Sequence, residues 1–263
     1  MASLIVPKRS LILPRGSRGG LVLSQHQRGF MMINPSRFGA SGGSDPYFSS
    51  VVSLLHFDGS NGGTTFTDQK GKTWTGHGTA QTQTTTFKYG TAGLNLSQPN
   101  DYLDTSSHAD FGFGTGDYTL ECWARATNTA GRVNGLIDTR TASNTGIQLF
   151  MGGGAFGVPT NTMGCSSNAA VLATGGTVIS GNWYHIALCR ASGTIYAFVN
   201  GVQAFTVADS RTYASASTCF IGADYAGTTG QRFDGQIDDL RITKSVARYT
   251  SAFTPPTAAF PDS

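Results

Sequence analysis

The chain has 263 residues and a net charge of +3, and only 13% of it is charged against about 25% in an average globular protein. Its 35 glycines and 11% aromatic residues suit short strands joined by tight turns, and the even spread of aromatic and β-branched residues excludes a disordered body. No stretch approaches the roughly 20 apolar residues of a membrane-spanning helix, so no membrane partner is expected.

The charge is unevenly placed. Residues 1–44 hold six basic side chains (Lys8, Arg9, Arg15, Arg18, Arg28, Arg37) and no acidic one, while the other 219 residues hold 12 basic and 15 acidic side chains. The same end carries three apolar triads, Leu4-Ile5-Val6, Leu11-Ile12-Leu13 and Leu21-Val22-Leu23, with Phe30 and Phe38 further on. Pro7 and Pro14 follow the first two triads, remove amide donors and push the preceding residue to extended geometry. The triads fall short of the roughly seven to fifteen apolar residues of a secretory signal. Extended, basic and intermittently apolar, residues 1–45 are expected to form an anchoring arm on a partner protein, ending in a hinge from Ala40 to Pro46. Six charges over some forty residues are sparse for phosphate neutralisation, which speaks against nucleic acid.

From residue 46 to 263 the pattern is strand and turn. Strands are expected at Val51–Phe57, Tyr118–Arg125, Trp183–Arg190, Thr194–Val199, Val202–Val207 and Gln236–Ile242. Asn200-Gly201 between two β runs is a strong hairpin signal. No segment keeps a helical period beyond a turn or two, so the fold class is all-β, a sandwich or barrel. The four cysteines (Cys122, Cys165, Cys189, Cys219) have neither metal-type spacing nor close pairing. They read as buried thiols, which fits synthesis in a reducing cytoplasm.

Five segments in order resemble the laminin-G-like, concanavalin A-like jelly-roll family: Leu54 to Gly59, Gly116 to Trp123, Trp183 to Leu188, Phe198 to Gly201 and Gly235 to Ile242. The resemblance implies two antiparallel sheets packed face to face. The tail from Ala247 to Thr257 (ARYTSAFTPPT) is similar to an ending frequent in bacteriophage virion proteins that carry this domain. The resemblance thus implies a virion structural protein, a decoration, fibre or attachment component, oligomeric in its assembly with other virion proteins. A free carbohydrate-binding module and a polysaccharide-degrading enzyme are the alternatives.

Glycan binding would use aromatic faces with a few polar groups. Glu121, Trp123 and Arg125 share one face of the Tyr118–Arg125 strand, and Tyr213 and Tyr225 lie in candidate rim loops. Trp74 and Trp183 read as core. Retaining glycosidases of this fold use a Glu-x-Asp-x-x-Glu strand, whereas Glu121 is the sole glutamate here and has no carboxylate two or four residues on. An aspartate pair from separate strands stays open. There is no G-x-S-x-G elbow, P-loop or zinc spacing, and no catalytic residue is expected. Calcium is the one metal the residues suit, through Asp58 and the Asp238-Asp239 pair, with an Asx turn at Asp58 and a pairing to Arg241 as the structural alternatives.

Overall fold

The structure, a computed structural model, describes residues 43–97, 100–141, 146–168, 170–226 and 231–263. The arm residues Leu4 to Phe38 lie outside the described residues. Among those described the strands are β1 (Val51–Leu55), β2 (Thr75–His77), β3 (Gln81–Gln83), β4 (Gly93–Leu96), β5 (Tyr102–Asp104), β6 (Tyr118–Ala126), β7 (Arg132–Asp138), β8 (Gln148–Gly153), β9 (Thr162–Ser167), β10 (Ala170–Gly175), β11 (Tyr184–Ala191), β12 (Thr194–Val199), β13 (Val202–Ala208), β14 (Phe220–Ile221) and β15 (Gly235–Lys244). One sheet has eight strands in the order β13-β12-β11-β6-β15-β4-β3, with β1 also on β15; the other has seven in the order β10-β9-β8-β7-β14-β5-β2. Neighbours pair antiparallel. This is the expected two-sheet jelly roll. No helix of the described residues is long and apolar enough to cross a membrane.

The expected hairpin forms between β12 and β13. Asn200 and Gly201 have φ of 49° and 75°, the pair of left-handed residues that matches strand twist in a two-residue turn. Between the sheets, inward residues such as Leu94, Leu96, Leu103, Leu120, Cys122, Ile137, Leu149, Met163, Ile186, Leu188 and Ile237 form the main core, each large aliphatic contributing about 1.5–3 kcal/mol on full burial. The four cysteines are buried and unpaired.

The central strands of the eight-stranded sheet, β6, β11 and β15, are buried on their second face as well. The segment after β15 crosses that face: Tyr249 and Phe253 stack at 3.6 Å and both pack on Phe198, and Phe260 joins Val51 and Leu54. Beneath this strap lies a buried ionic cluster. The Arg241 guanidinium donates to Glu121 Oε1 (2.9 Å) and Asp45 Oδ2 (3.0 Å), and Arg248 donates to both Asp45 oxygens (3.0 and 2.7 Å) and to Thr243 Oγ1 (2.8 Å). Tyr249 OH donates to Glu121 Oε2 at 3.0 Å, and His185 Nε2 lies 3.3 Å from the same oxygen. Two cations thus meet two anions away from water. Asp45, expected at the end of the hinge, instead belongs to the sandwich, and its amide donates to the Ser263 carbonyl at 2.6 Å.

Burial by itself would raise the Glu121 carboxyl; Arg241, His185 and Arg248 outweigh it and hold the group at about 2. Because this lies below the unfolded value of 4.5, the stabilisation is fully present above pH 4.5 and is lost as pH falls toward 2. Removing one member of such a cluster leaves an uncompensated buried charge. Replacing Arg248 by Met is therefore expected to lower unfolding free energy by about 3–5 kcal/mol, measured by urea denaturation at pH 7. A loss below about 1 kcal/mol, the worth of an exposed pair, would show that the cluster is not what holds the strap.

Candidate functional site

The outer face of the seven-stranded sheet carries a groove of about 450 Å³ over β7, β8, β9 and β10. Strand register builds its floor. Ser166 of β9 lies opposite Gln148 of β8, which lies opposite Asp138 of β7, so the three align across neighbouring strands, and Arg140 follows Asp138 at the two-residue spacing that keeps one side. Arg140 Nε and Nη2 donate to Asp138 at 2.8–3.1 Å, and Nη1 donates to Ser166 Oγ at 3.3 Å. Ser166 Oγ donates to Gln148 Oε1 (2.7 Å), and Gln148 Nε2 donates to Gln231 Oε1 (3.0 Å). The Tyr225 amide donates to Asp138 Oδ2 at 3.0 Å, and the Arg140 guanidinium lies 5.2 Å from the Tyr225 ring centroid. Burial pushes the Asp138 carboxyl above the ordinary range, with Arg140 and the amides of Arg140 and Tyr225 pulling the other way.

The walls are apolar. Val133, Phe150 and Val158 form their own cluster, and Val171 and Phe156 complete the lining at 41% and 60% exposed. The Phe156 loop is braced: Gly154 N donates to Val158 O at 2.7 Å and Val158 N to Ala155 O at 3.0 Å. At Gly153, with φ of 141°, an added Cβ would stand 1.7 Å from the Pro159 carbonyl, so only glycine permits the chain to turn there. Phe156 itself holds φ of 53°, a conformation costly for a bulky residue and concentrated at binding sites.

Of the five residues expected to bind ligand, the structure brings only Tyr225 into this groove. Glu121 is fully buried in the ionic cluster. Trp123 is buried beneath the Tyr89 ring and the Lys88 ammonium, whose Nζ lies 4.0 Å from the Trp123 ring. Arg125 is half-buried and donates to Gln236 Oε1 (2.8 Å) and the Gly181 carbonyl (3.0 Å). Tyr213 is buried, its hydroxyl donating to Asp209 Oδ2 at 2.8 Å. Burial corrects Glu121, Trp123 and Tyr213 to structural roles, and Arg125 lies outside the groove; for the strand residues, alternation separates two faces without telling which one is covered. Trp74 is core as expected, whereas Trp183 is half-buried. Arg140, Gln148, Phe156 and Gln231 were not singled out; the Gly152-Gly153-Gly154-Ala155-Phe156-Gly157 run was the one signal for an exposed aromatic loop.

The three aspartates expected to suit calcium are also corrected. Asp58 Oδ1 accepts from the amides of Thr91 and Ala92. Asp238 and Asp239 sit at a bulge in β15, where pairing with β4 (Gly235–Ile237) stops and pairing with β1 (Leu240–Thr243) begins. Asp238 Oδ2 accepts from the Lys88 and Tyr89 amides, and burial pushes its carboxyl up to about 7. Asp239 accepts from His56 Nδ1 at 2.6 Å and from the Phe260 amide at 2.9 Å. Neither pairs with Arg241, which meets Glu121 and Asp45 instead. Among the described residues no three His, Cys, Asp or Glu side chains are grouped to hold a metal ion.

The described geometry accords with the family comparison. A model described as the concanavalin A-like lectin/glucanases superfamily (Laminin_G_3) matches residues 97–248, more than half of the chain. The chain belongs to this superfamily. Solved structures with the same fold include the binding domain of Paraclostridial Mosquitocidal Protein 1 (TM-score 0.57, 11% identity, 77% of this chain and 51% of that chain). Domain 4 of an extracellular arabinanase from Geobacillus stearothermophilus, solved with arabinotriose, matches with TM-score 0.56 and 15% identity over 75% of this chain and 94% of that domain. The botulinum neurotoxin serotype D binding domain matches with TM-score 0.55 and 12% identity over 78% of this chain and 51% of that chain. The chain thus spans about half the length of the two toxin structures. No curated protein sequence matches it. At these identities the likeness to other superfamily members concerns the fold alone.

His56 ties the strap to the sandwich, since its Nε2 lies 2.8 Å from Asp262 Oδ1 while Nδ1 meets Asp239. Burial would lower the imidazole pKa; the two carboxylates outweigh it and hold the group at about 9. Its contribution is fully present below the unfolded value of 6.5 and is lost as pH rises through about 9. Hydrogen exchange at the Phe260 amide should therefore accelerate between pH 7 and 10 beyond its intrinsic base catalysis, and His56→Ala should show the faster exchange already at pH 7. Equal protection in both proteins would refute the tie.

Proposed function

We propose that this domain binds glycan in the groove of the seven-stranded sheet, without cleaving it, as the displayed head of a bacteriophage structural protein anchored by its N-terminal arm. The observation that carries the binding role is a hydrogen-bonded polar floor set against an exposed, backbone-strained Phe156. Sugars present an apolar face of C–H groups and a rim of hydroxyls, which such a surface matches. The arabinanase domain solved with arabinotriose supports the reading as a saccharide complex on the same fold. The sole glutamate is fixed under the strap, away from the groove, which supports binding over hydrolysis by a glutamate pair. The particle role rests on the basic, apolar arm and on the ARYTSAFTPPT tail, and it implies virion partners, many copies and avidity for host-surface glycans.

Phe156→Ala is expected to weaken glycan affinity about fivefold to tenfold, the worth of one aromatic contact of roughly 1 kcal/mol. Tm should stay level, because the ring is largely exposed and alanine keeps the Cβ that a positive φ strains. Titration calorimetry with a ligand selected on a glycan array measures the first and a thermal melt the second; a lower Tm with unchanged affinity would make Phe156 a packing residue. Deleting residues 1–42 is expected to leave the melt unchanged and abolish incorporation into particles, scored by immunoblot of purified virions. Undiminished incorporation would refute the anchoring role.

A further inference from the structure

Resting on the groove reading above, we infer that the site reads an acetyl group on its sugar, as an acetamido or an O-acetyl substituent, through the side-chain amide of Gln231. The direction of the hydrogen-bond chain fixes what that amide offers. A guanidinium only donates, so Ser166 Oγ accepts from Arg140 Nη1 (3.3 Å) and gives its own proton to Gln148 Oε1 (2.7 Å). Gln148 is thereby turned with Nε2 toward Gln231, which receives it on Oε1 at 3.0 Å. The half-buried Gln231 is left presenting Nε2 on the groove lining, an N–H donor group with no partner among the described residues. Arg140 is thus a positioning residue: from the far end of the chain it makes Gln231 a donor, not an acceptor, toward the groove.

A donor amide beside an apolar surface matches an acetyl group in both of its halves. The carbonyl oxygen accepts and carries no proton of its own, and the methyl gains from contact with carbon. The groove supplies that contact from Phe156 and Val171, both exposed, over the cluster of Val133, Phe150 and Val158. Gly164 of β9 lies opposite Phe150 of β8, and an added Cβ there would strike the Phe150 ring, so glycine lets the ring lie over β9 and widen the carbon floor. A sugar hydroxyl can also accept from Nε2, but it then has a proton to place and no methyl to bury.

The test uses the full chain against two immobilised pairs that differ in acetylation and not in charge. One is an N-acetylglucosamine oligomer against a glucose oligomer of equal length and linkage; the other is an O-acetylated glucomannan against the same polymer after alkaline deacetylation. In at least one pair the acetylated member is expected to bind about tenfold tighter, the worth of one hydrogen bond with one buried methyl, and the pair that shows the gap tells an acetamido from an ester source. Gln231→Glu keeps an acceptor for Gln148 Nε2 but removes the donors, and should erase the gap in a protein still folded by its melt. Ser166→Ala, which cuts the chain one step from Arg140, should narrow it, whereas Phe156→Ala should weaken both members of the pair. Equal or tighter binding of the bare member in both pairs, or a gap that survives Gln231→Glu, would overturn the inference while leaving the groove in place as a saccharide site. Binding of neither member in either pair would overturn the inference, and with no ligand on the glycan array either, the groove reading with it.

Discussion

The structure depends on one buried ionic cluster, in which Arg241 and Arg248 meet Glu121 and Asp45 under the C-terminal strap. Its members come from Asp45 ahead of the first strand, from the centre of β6, from β15 and from the tail, and the ion pairs join residues 120 to 203 positions apart in the chain. Desolvating four charges is expensive, and an apolar replacement of equal shape could be as stable. What the charges add is registry. A carboxylate that accepts from two guanidiniums admits one arrangement of strap over sheet, where a purely apolar contact between Tyr249, Phe253 and Phe198 could slide.

That registry decides which surface is free. With the strap in place, the central strands β6, β11 and β15 of the eight-stranded sheet are covered on both faces and lose the alternation of buried and exposed residues; β15 is buried along nine of its ten positions. The seven-stranded sheet is buried over β7 to β9 as well, but there the cover is made by loops, which leave a groove above Asp138, Gln148, Phe150 and Ser166. Buried side chains on that face must satisfy one another, and they do so in a directed chain of hydrogen bonds rather than by packing.

The sequence made some of this legible. The β12–β13 hairpin has the expected limits at Thr194–Val199 and the expected Asn-Gly turn, because its signal is local. Alternation in Tyr118–Arg125 correctly separated Leu120 and Cys122 from Glu121 and Trp123. It could not say that the second set would be covered, since the cover of Glu121 by Tyr249 lies 128 residues later and that of Trp123 comes from Lys88 and Tyr89, earlier in the chain. β7 and β8 were not expected at all: Gly135, Gly152 and Gly153 interrupt their apolar pattern, and a register shift between Gly135 and Ile137 breaks the period of two. The Asp238-Asp239 pair looked like hard donors for a cation because a bulge is invisible in sequence. In space the two carboxylates satisfy backbone amides and a histidine where the ladder changes partner.

The ending from Ala247 to Thr257 entered as a resemblance and leaves as a device. Arg248 reaches into the cluster, Tyr249 caps Glu121 and stacks on Phe253, and the Phe253 amide donates to the Gly201 carbonyl at the β12–β13 turn. A tail built this way carries a mechanical consequence for any role in which residues 1–44 hold the domain to a larger body. Force along the arm enters the sandwich at Asp45, and Asp45 is pinned by Arg241, by both terminal nitrogens of Arg248 and, through its amide, by the last residue of the strap. Pulling there loads charge-assisted bonds to β15 and the tail at once, instead of peeling the first strand from one edge. In such a role the closure of the domain and its point of attachment would be the same structure, and a change that loosens the strap would also loosen the attachment.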